Sequence, residues 1–353
     1  MKRFAIAVIA GDGVGQEVTP AAIRTLEAIA PRFDAAFDFE QFDWGAEYYF
    51  RKGRMMPADA LDLLRPKDGI LLGAVGDPKI PDHITLNGLL LPIRRGFDQF
   101  ANVRPAILYE GVESPLERPG SIDVVVVREN TEGEYAQVGG FVYHHQPEEV
   151  AIQTAVFTRR GIDRVVRFAF DLARKRNKKR RVTSITKSNA QGFGMVLWDR
   201  AFQAVAAEYS DIETESLLVD AAAMNFIRRP ESFDVVVASN LFGDILSDVS
   251  AILTGSIGLA PSANLDPTRR YPSMFEPVHG SAPDIAGRGI VNPLASILSA
   301  AMLLDHLGLE EAGRKVERAV AAVLKERKLK TADLGGSSTT SEVTTAVIDR
   351  LAS

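Results

Sequence analysis

The chain has 353 residues, 46% of them hydrophobic and 25% charged, a composition that suits a globular protein of two domains with a large buried core. A formal charge of −5 gives no general attraction to nucleic acid or anionic lipid, and the absence of cysteine excludes disulfides, thiolate metal sites and a cysteine nucleophile. No apolar run reaches membrane-spanning length and the N-terminal segment is interrupted too early for a signal peptide, so a cytoplasmic location is the default expectation.

Strand-like and helix-like segments alternate from the first residues. Phe4 to Ala10 reads as a buried strand and Val18 to Ile29 as a helix, while Phe37, Phe39 and Gln41 alternate with Asp38 and Glu40. Further strands are expected at 69–72, 122–127, 182–186 and 235–238. Together they predict an α/β fold with a largely parallel sheet. Gly11, Gly13 and Gly15 follow the first strand, but the third glycine comes one residue too early for the G-x-G-x-x-G spacing, since position 16 is Gln. A tight strand-to-helix turn accounts for them equally well. The basic run from Arg174 to Arg181 has no interleaved aromatics and reads as a solvated helix end and loop, against the alternative of a nucleic-acid patch.

The chemistry concentrates in four places. Asp244 and Asp248 follow the apolar run 235–238 and open a stretch in which Ile245, Leu246, Val249 and Ile252 have helical spacing. Both carboxylates then lie on one helix face, a spacing shared by ordinary pairs of solvated acids, and their repulsion makes sense with a divalent cation between or beside them, Mg²⁺ or Mn²⁺ for such hard oxygen ligands. Arg94, Arg104 and Arg128 each adjoin apolar runs, and paired guanidinium donors suit a substrate with more than one carboxylate. Lys187 comes directly after a strand, a place where a lone Lys is usually a solvating charge but where desolvation or a nearby cation can lower its pKa toward that of a general base. The segment 276–293 is rich in small residues and turn formers whose backbone donors can approach a phosphate.

With these residues in view, the chain resembles the β-decarboxylating 2-hydroxyacid dehydrogenases, the family of isopropylmalate, isocitrate, homoisocitrate and tartrate/D-malate dehydrogenases. The resemblance rests on 128–135 (Arg-Glu-Asn-Thr-Glu-Gly-Glu-Tyr), 186–189 (Thr-Lys-Ser-Asn), 239–248 and 279–287, which occur in the family's order. It implies an isopropylmalate dehydrogenase-like two-domain fold, not a Rossmann fold. One domain takes residues 1–98 and 254–353, the other 99–253, and the interdomain active site is completed by the partner in a homodimer. By the same resemblance Arg94, Arg104 and Arg128 hold the substrate carboxylates, beside Asn87 and Leu90. Asp244 and Asp248 with a partner's Asp220 ligate Mg²⁺ or Mn²⁺. Lys187, also from the partner, takes the hydroxyl proton, hydride passes to NAD⁺, and Tyr135 protonates the enol carbon left by CO₂. Asp284 accepts from the adenosine ribose hydroxyls, and with Ile285 stands where NADP-dependent relatives carry Lys-Tyr, so NAD is expected. His279, Gly280, Ser281, Ala282 and Asn292 complete the cofactor site. Activation by a monovalent cation such as K⁺ is left open.

Segments 81–86, 128–135 and 254–264 look most like the tartrate/D-malate branch, which points to D-malate or tartrate as substrate. Asn87 departs from that branch, which carries an aromatic residue there, and from the Glu of isopropylmalate enzymes, so 3-isopropylmalate is the alternative substrate. Two other classes stand beside these readings: a conventional metal-independent Rossmann dehydrogenase, and a non-catalytic nucleic-acid binder built on 174–181.

Overall fold

The computed structural model describes residues 1–352. Ten strands form one sheet in the order β2-β1-β3-β12-β11-β4-β5-β10-β8-β9. They are β1 (Lys2–Gly11), β2 (Ala35–Gln41), β3 (Gly69–Ala74), β4 (Ala101–Ile107), β5 (Asp123–Glu129), β8 (Arg181–Thr186), β9 (Glu213–Leu218), β10 (Val235–Ala238), β11 (Pro261–Leu265) and β12 (Ser273–Pro277). Two more, β6 (Gly133–Val142) and β7 (Val150–Val156), pair only with each other as an antiparallel arm. The first half of the large sheet draws its strands from 1–98 and 254–353, the second half from 99–253, and the two meet at the β11–β4 pair.

The outer pairs are parallel, as the alternating segments predict, but the centre is antiparallel: β12 with β11, β11 with β4, and β4 with β5. Periodicity does not reveal β4 or β11, because each alternates between a polar and an apolar face inside the protein. Asn102 and Arg104 of β4, Ser262 and Asn264 of β11, Arg128 of β5 and Glu276 of β12 are all buried on one face. Val103, Val125, Ala263 and Phe275 lie buried on the other. Successive residues of a strand point to opposite faces, so these strands carry a polar site in front and part of the hydrophobic core behind.

Helix Asn240–Leu253 lies against β4, β5 and β6 on the polar side, while helix Arg159–Arg176 packs behind β5, β8 and β10. Of the apolar residues with helical spacing there, Leu246 is fully buried, whereas Ile245 and Ile252 are about half exposed. No helix among the described residues is long and apolar enough to cross a membrane.

Every Arg and Lys of the basic run is engaged locally. Arg174 and Arg180 pair with Asp211, Arg176 with Asp123 and Asp234, Lys178 with Asp123, Arg181 with Glu213 and Lys175 with Asp305, while Lys179 donates to the carbonyl of Phe233. The glycine turn is also internally committed: the N–H of Asp12 donates to Ala74 O at 2.8 Å and that of Val14 to Ser281 O at 2.9 Å. Gly13 has a left-handed φ of +52° and sits directly against Ser281, where a side chain would collide with backbone. The turn is therefore a packing joint for the 279–289 loop, and its Asp12 and Val14 amides are not free for a pyrophosphate.

Candidate active site

Asp244 is the hub of the polar face. It lies near the start of helix Asn240–Leu253, directly after Gly243, where a Cβ would come within 2.7 Å of the Cβ of Arg128. The missing side chain lets Arg128 lie flat against the helix. Arg104 Nη1 donates to Asp244 Oδ1 at 3.1 Å, Arg128 Nη1 donates to the same oxygen, and the Tyr135 hydroxyl donates to Oδ2 at 2.9 Å. Arg104 Nη1 also lies 3.6 Å from Asp248 Oδ1 and donates to Ser247 Oγ at 2.7 Å. The counter-charge that the two aspartates share within this chain is thus a guanidinium.

The remaining contacts hold this hub in place. Arg128 donates from Nε and Nη2 to Asn240 Oδ1, at 3.0 and 2.6 Å, so all three of its nitrogens are bonded. Arg94 donates from Nη2 to Glu276 Oε1 at 2.7 Å, with both side chains almost wholly buried. Glu276 also accepts from Asn264, whose Oδ1 accepts from Asn102 and Asn130, so a buried amide ladder runs across the junction of the two halves. Tyr135 is aligned by its neighbour in sequence. The Glu134 carboxylate accepts from Ser239 Oγ at 2.9 Å and from the N–H of Leu241 at 3.1 Å, which pins β6 to the positive end of helix Asn240–Leu253.

The electrostatics follow from this arrangement. Burial opposes the charge of Asp244, but Arg128, Arg104 and the Tyr135 hydroxyl outweigh it, and the carboxyl sits below its ordinary range. Burial and the adjacent Asp244 charge, against the pull of Arg104, push Asp248 up. Burial pulls Arg128 down to about 10, with the Asp244 charge opposing the shift. Burial, then the Asp244 charge, pushes the Tyr135 phenol up, so it keeps its proton. Arg94 and Arg104 each retain a buried Nε with no hydrogen-bond partner, so neither guanidinium is fully satisfied by the protein.

Lys187 and Asp220 lie apart from this cluster. Lys187 Nζ pairs with Asp220 Oδ1 at 2.7 Å, the aspartate mostly exposed near the start of helix Val219–Arg228. That hydrogen bond holds the Asp220 carboxyl below its ordinary range. Among the described residues, the only three-membered group of potential metal ligands is His144, His145 and Glu149 on the β6–β7 arm, so one chain brings together only two of the three expected aspartates.

The 279–289 loop is anchored to helix Gly15–Ile29, since Glu17 accepts from the N–H groups of Gly287 and Gly289 at 2.6 and 2.8 Å. His279 is pulled down by burial and its Nε2 has no partner, while Asp284 is exposed and makes no hydrogen bond or ion pair. Gly280 is open to solvent, Ala282 and Ile285 are partly buried, and Ser281 is buried against the glycine turn. Asn292 differs from the others: its amide donates to Asp333 at 2.9 Å and accepts from the N–H of Leu294 at 3.0 Å, tying down the start of helix Leu294–His306. Asn87 and Leu90 occupy an irregular π turn (Leu86–Leu90) that leads into the helical turn holding Arg94. A cavity of about 790 Å³ opens on the opposite face of the sheet and contains none of these residues.

The model of the isocitrate/isopropylmalate dehydrogenase family matches residues 5–347. The chain belongs to this family. Its dehydrogenases generally use NAD and a divalent metal. A probable tartrate dehydrogenase/decarboxylase of Bacillus subtilis (strain 168) is 53% identical over 353 residues, covering 99% of each chain. The D-malate dehydrogenase [decarboxylating] of Escherichia coli (strain K12) is 50% identical over 98% of each chain. The crystal structure of an isocitrate dehydrogenase from Methylococcus capsulatus superposes with a TM-score of 0.89 at 36% identity, covering both chains fully, and so shares the family fold.

Residue patterns missed several members of the site. Glu276, Asn240, Ser247 and Asn264 all lie inside the segments 239–248, 254–264 and 276–293, but nothing in their spacing says that they face the arginines. Arg95 and Gln137 went unnoticed because each lies beside a more conspicuous residue.

Proposed function

We propose that the protein catalyses the NAD-linked, divalent-metal-dependent oxidation and β-decarboxylation of a small 2-hydroxy dicarboxylate, D-malate or tartrate. The observation that carries this reading is the convergence of Arg104, Arg128 and the protonated Tyr135 on Asp244, with the unsatisfied Nε donors of Arg94 and Arg104 beside them. The relatives named for tartrate and D-malate favour these substrates over 3-isopropylmalate.

The donor set fits the expected groups. Asp244 and Asp248 offer only hard oxygens, suited to Mg²⁺ or Mn²⁺, and the orphaned His279 Nε2 and unpaired Asp284 suit the adenosine end of NAD rather than a 2′-phosphate. When bound, the metal would polarise the 2-oxygen and NAD⁺ would accept the hydride. The chain's own groups do the rest. Arg94 and Arg104 grip the carboxylates through their free donors and Arg128 fixes their orientation. Lys187 Nζ receives the hydroxyl proton, and Tyr135 Oη gives a proton to the carbon from which CO₂ departs.

A second copy of the chain completes the site in this reading. Lys187 and Asp220 are already joined, so a partner would deliver proton acceptor and third metal ligand together. The surface around them supports such a partner. Met224 and Ile227 on one helix and Ile245 and Ile252 on the next are each more than half exposed, as are Phe141, Tyr143 and Ile152 on the arm. An isolated two-stranded ribbon is marginal by itself, and pairing with a second copy would cover its apolar side chains. In this arrangement residues 1–98 with 254–353, and residues 99–253, act as two domains that meet along the β11–β4 pair.

The test is NADH formation with Mn²⁺ and NAD⁺ on D-malate, L-malate, meso- and (+)-tartrate, 3-isopropylmalate and isocitrate, each with and without EDTA. EDTA-sensitive turnover led by D-malate or a tartrate supports the proposal. A wide lead for 3-isopropylmalate refutes the substrate assignment, and the lack of metal-dependent turnover refutes the reaction.

A further inference from the structure

Arg95 stands next to Arg94 but faces another way. It belongs to the short helix Leu91–Gly96 in the first half of the molecule, and its guanidinium crosses to β6, which is pinned to the second half through Glu134. Its Nη2 donates to the carbonyl oxygen of Tyr135 itself, and its Nη1 donates to Gln137 Oε1 at 2.5 Å. Gln137 Nε2 then donates to Asn87 Oδ1, and Asn87 Nδ2 donates to the carbonyl of His83 at 2.7 Å. Every donor in this chain points the same way, from a cation through two amides to a helix carbonyl, an arrangement in which each bond polarises the next.

The backbone is shaped to allow it. The pairing of β6 with β7 shifts register between Gly133 and Val138, and within that irregularity Gln137 has a left-handed φ of +55°. A non-glycine residue in this region is held there by its surroundings, and a strand irregularity re-aims the side chain it carries. Here the turn sends Gln137 to meet residues 87 and 95. Neither Gln137 nor Arg95 is needed to bind substrate, metal or NAD in the reaction proposed above. Their bonds form at one relative setting of the two halves, and at that setting the Tyr135 carbonyl is held.

We propose that Arg95 and Gln137 are positioning residues: a latch, with Asn87 as its catch, that closes the two halves on each other and sets Tyr135 for proton delivery. The proposal rests on the reading of Tyr135 as proton donor. Losing the latch misplaces a proton donor without removing it, and misplacement of about 1 Å can cost on the order of 100-fold in rate.

Two measurements test it. In Arg95→Met and Gln137→Ala, kcat for D-malate should fall about tenfold or more while KM changes by less than about threefold. Protonation should become rate-limiting, so that the solvent deuterium effect on kcat rises and the effect of deuterium at C2 of D-malate shrinks, with Arg95→Lys partly restoring both. An unchanged kcat, or a fall with unchanged isotope effects, overturns the proposal. The second measurement is independent of activity and uses the absence of native cysteine. In the double variant Asn87→Cys/Gln137→Cys, dibromobimane should bridge the two thiols and become fluorescent, while neither single variant does so. Failure to bridge overturns the latch. If the wild type oxidises no substrate yet the bridge forms, the latch stands and the assigned reaction fails.

Discussion

Replacing Asp244 with alanine should separate the structural from the chemical role of the aspartate pair. Arg94, Arg104 and Arg128 face Glu276, Asp244 and Asp248, three cations against three carboxylates, of which Asp248 lies at the exposed edge. Asp244→Ala leaves Arg128, 2% exposed, and Arg104, 7% exposed, with one carboxylate fewer between them. Removing one partner of a buried ion pair costs about 3–5 kcal/mol. The lower end applies, because Arg128 keeps Asn240 and Arg104 keeps Ser247. Unfolding entropy of about 2.1 cal/mol/K per residue gives about 0.7 kcal/mol per kelvin for a chain of this length, so Tm should drop by about 4 °C. Asp248 is 57% exposed and its one cation, Arg104, lies 3.6 Å away, so Asp248→Ala should cost at most about 1 kcal/mol. Both variants should lose most Mn²⁺ affinity. The assay is calorimetric unfolding in EDTA, with Mn²⁺ binding followed by paramagnetic resonance. Equal destabilisation by the two substitutions, or full Mn²⁺ affinity in either, refutes this account of the cluster.

Three further outcomes are expected. His306 lies behind the sheet, where burial and then Arg269 pull it down to about 4. Its neutral form belongs to the folded state, so stability is complete above the ordinary histidine range and declines as pH falls from about 6.5 toward 4. The loss should be about 2 kcal/mol between pH 7.5 and 5, measured by urea unfolding, and His306→Gln should flatten it. Asp284→Ala should narrow the preference for NAD over NADP, read as the ratio of kcat/KM, by removing a negative charge from the ribose end; an unchanged ratio places that end elsewhere. Mixing Lys187→Ala and Tyr135→Phe chains after co-refolding should restore about a quarter of wild-type turnover if each site draws Lys187 from one chain and Tyr135 from the other. No recovery would show that the site lies within one chain.

Legibility varied with the kind of signal. The parallel flanks of the sheet could be read from strand-like segments such as 4–10, 69–72 and 235–238, because strands buried on both faces appear as continuous apolar runs. The helix bearing Asp244 and Asp248 could be read for a related reason, since four-residue spacing specifies a shared face. Residues 101–107 and 261–265 resisted the same treatment. Asn102, Arg104, Ser262 and Asn264 look like surface residues until the neighbouring strands bury them.

What the sequence determined by itself was local: element type where one face is apolar, a fold class from the alternation of elements, and family membership from four motifs in order. The tertiary structure decided which charges neutralise one another. The partners are far apart along the chain, as Arg94 is from Glu276, Arg128 from Asp244 and Arg95 from Gln137. Local propensity carries no record of such pairs, because they exist only once β4, β5, β11 and β12 align their polar faces. It also decided that Arg104 stands between the two aspartates, and that Lys187 and Asp220 sit together away from the cluster. Charge type is written residue by residue, but its energetic meaning depends on distance and burial, and packing sets both.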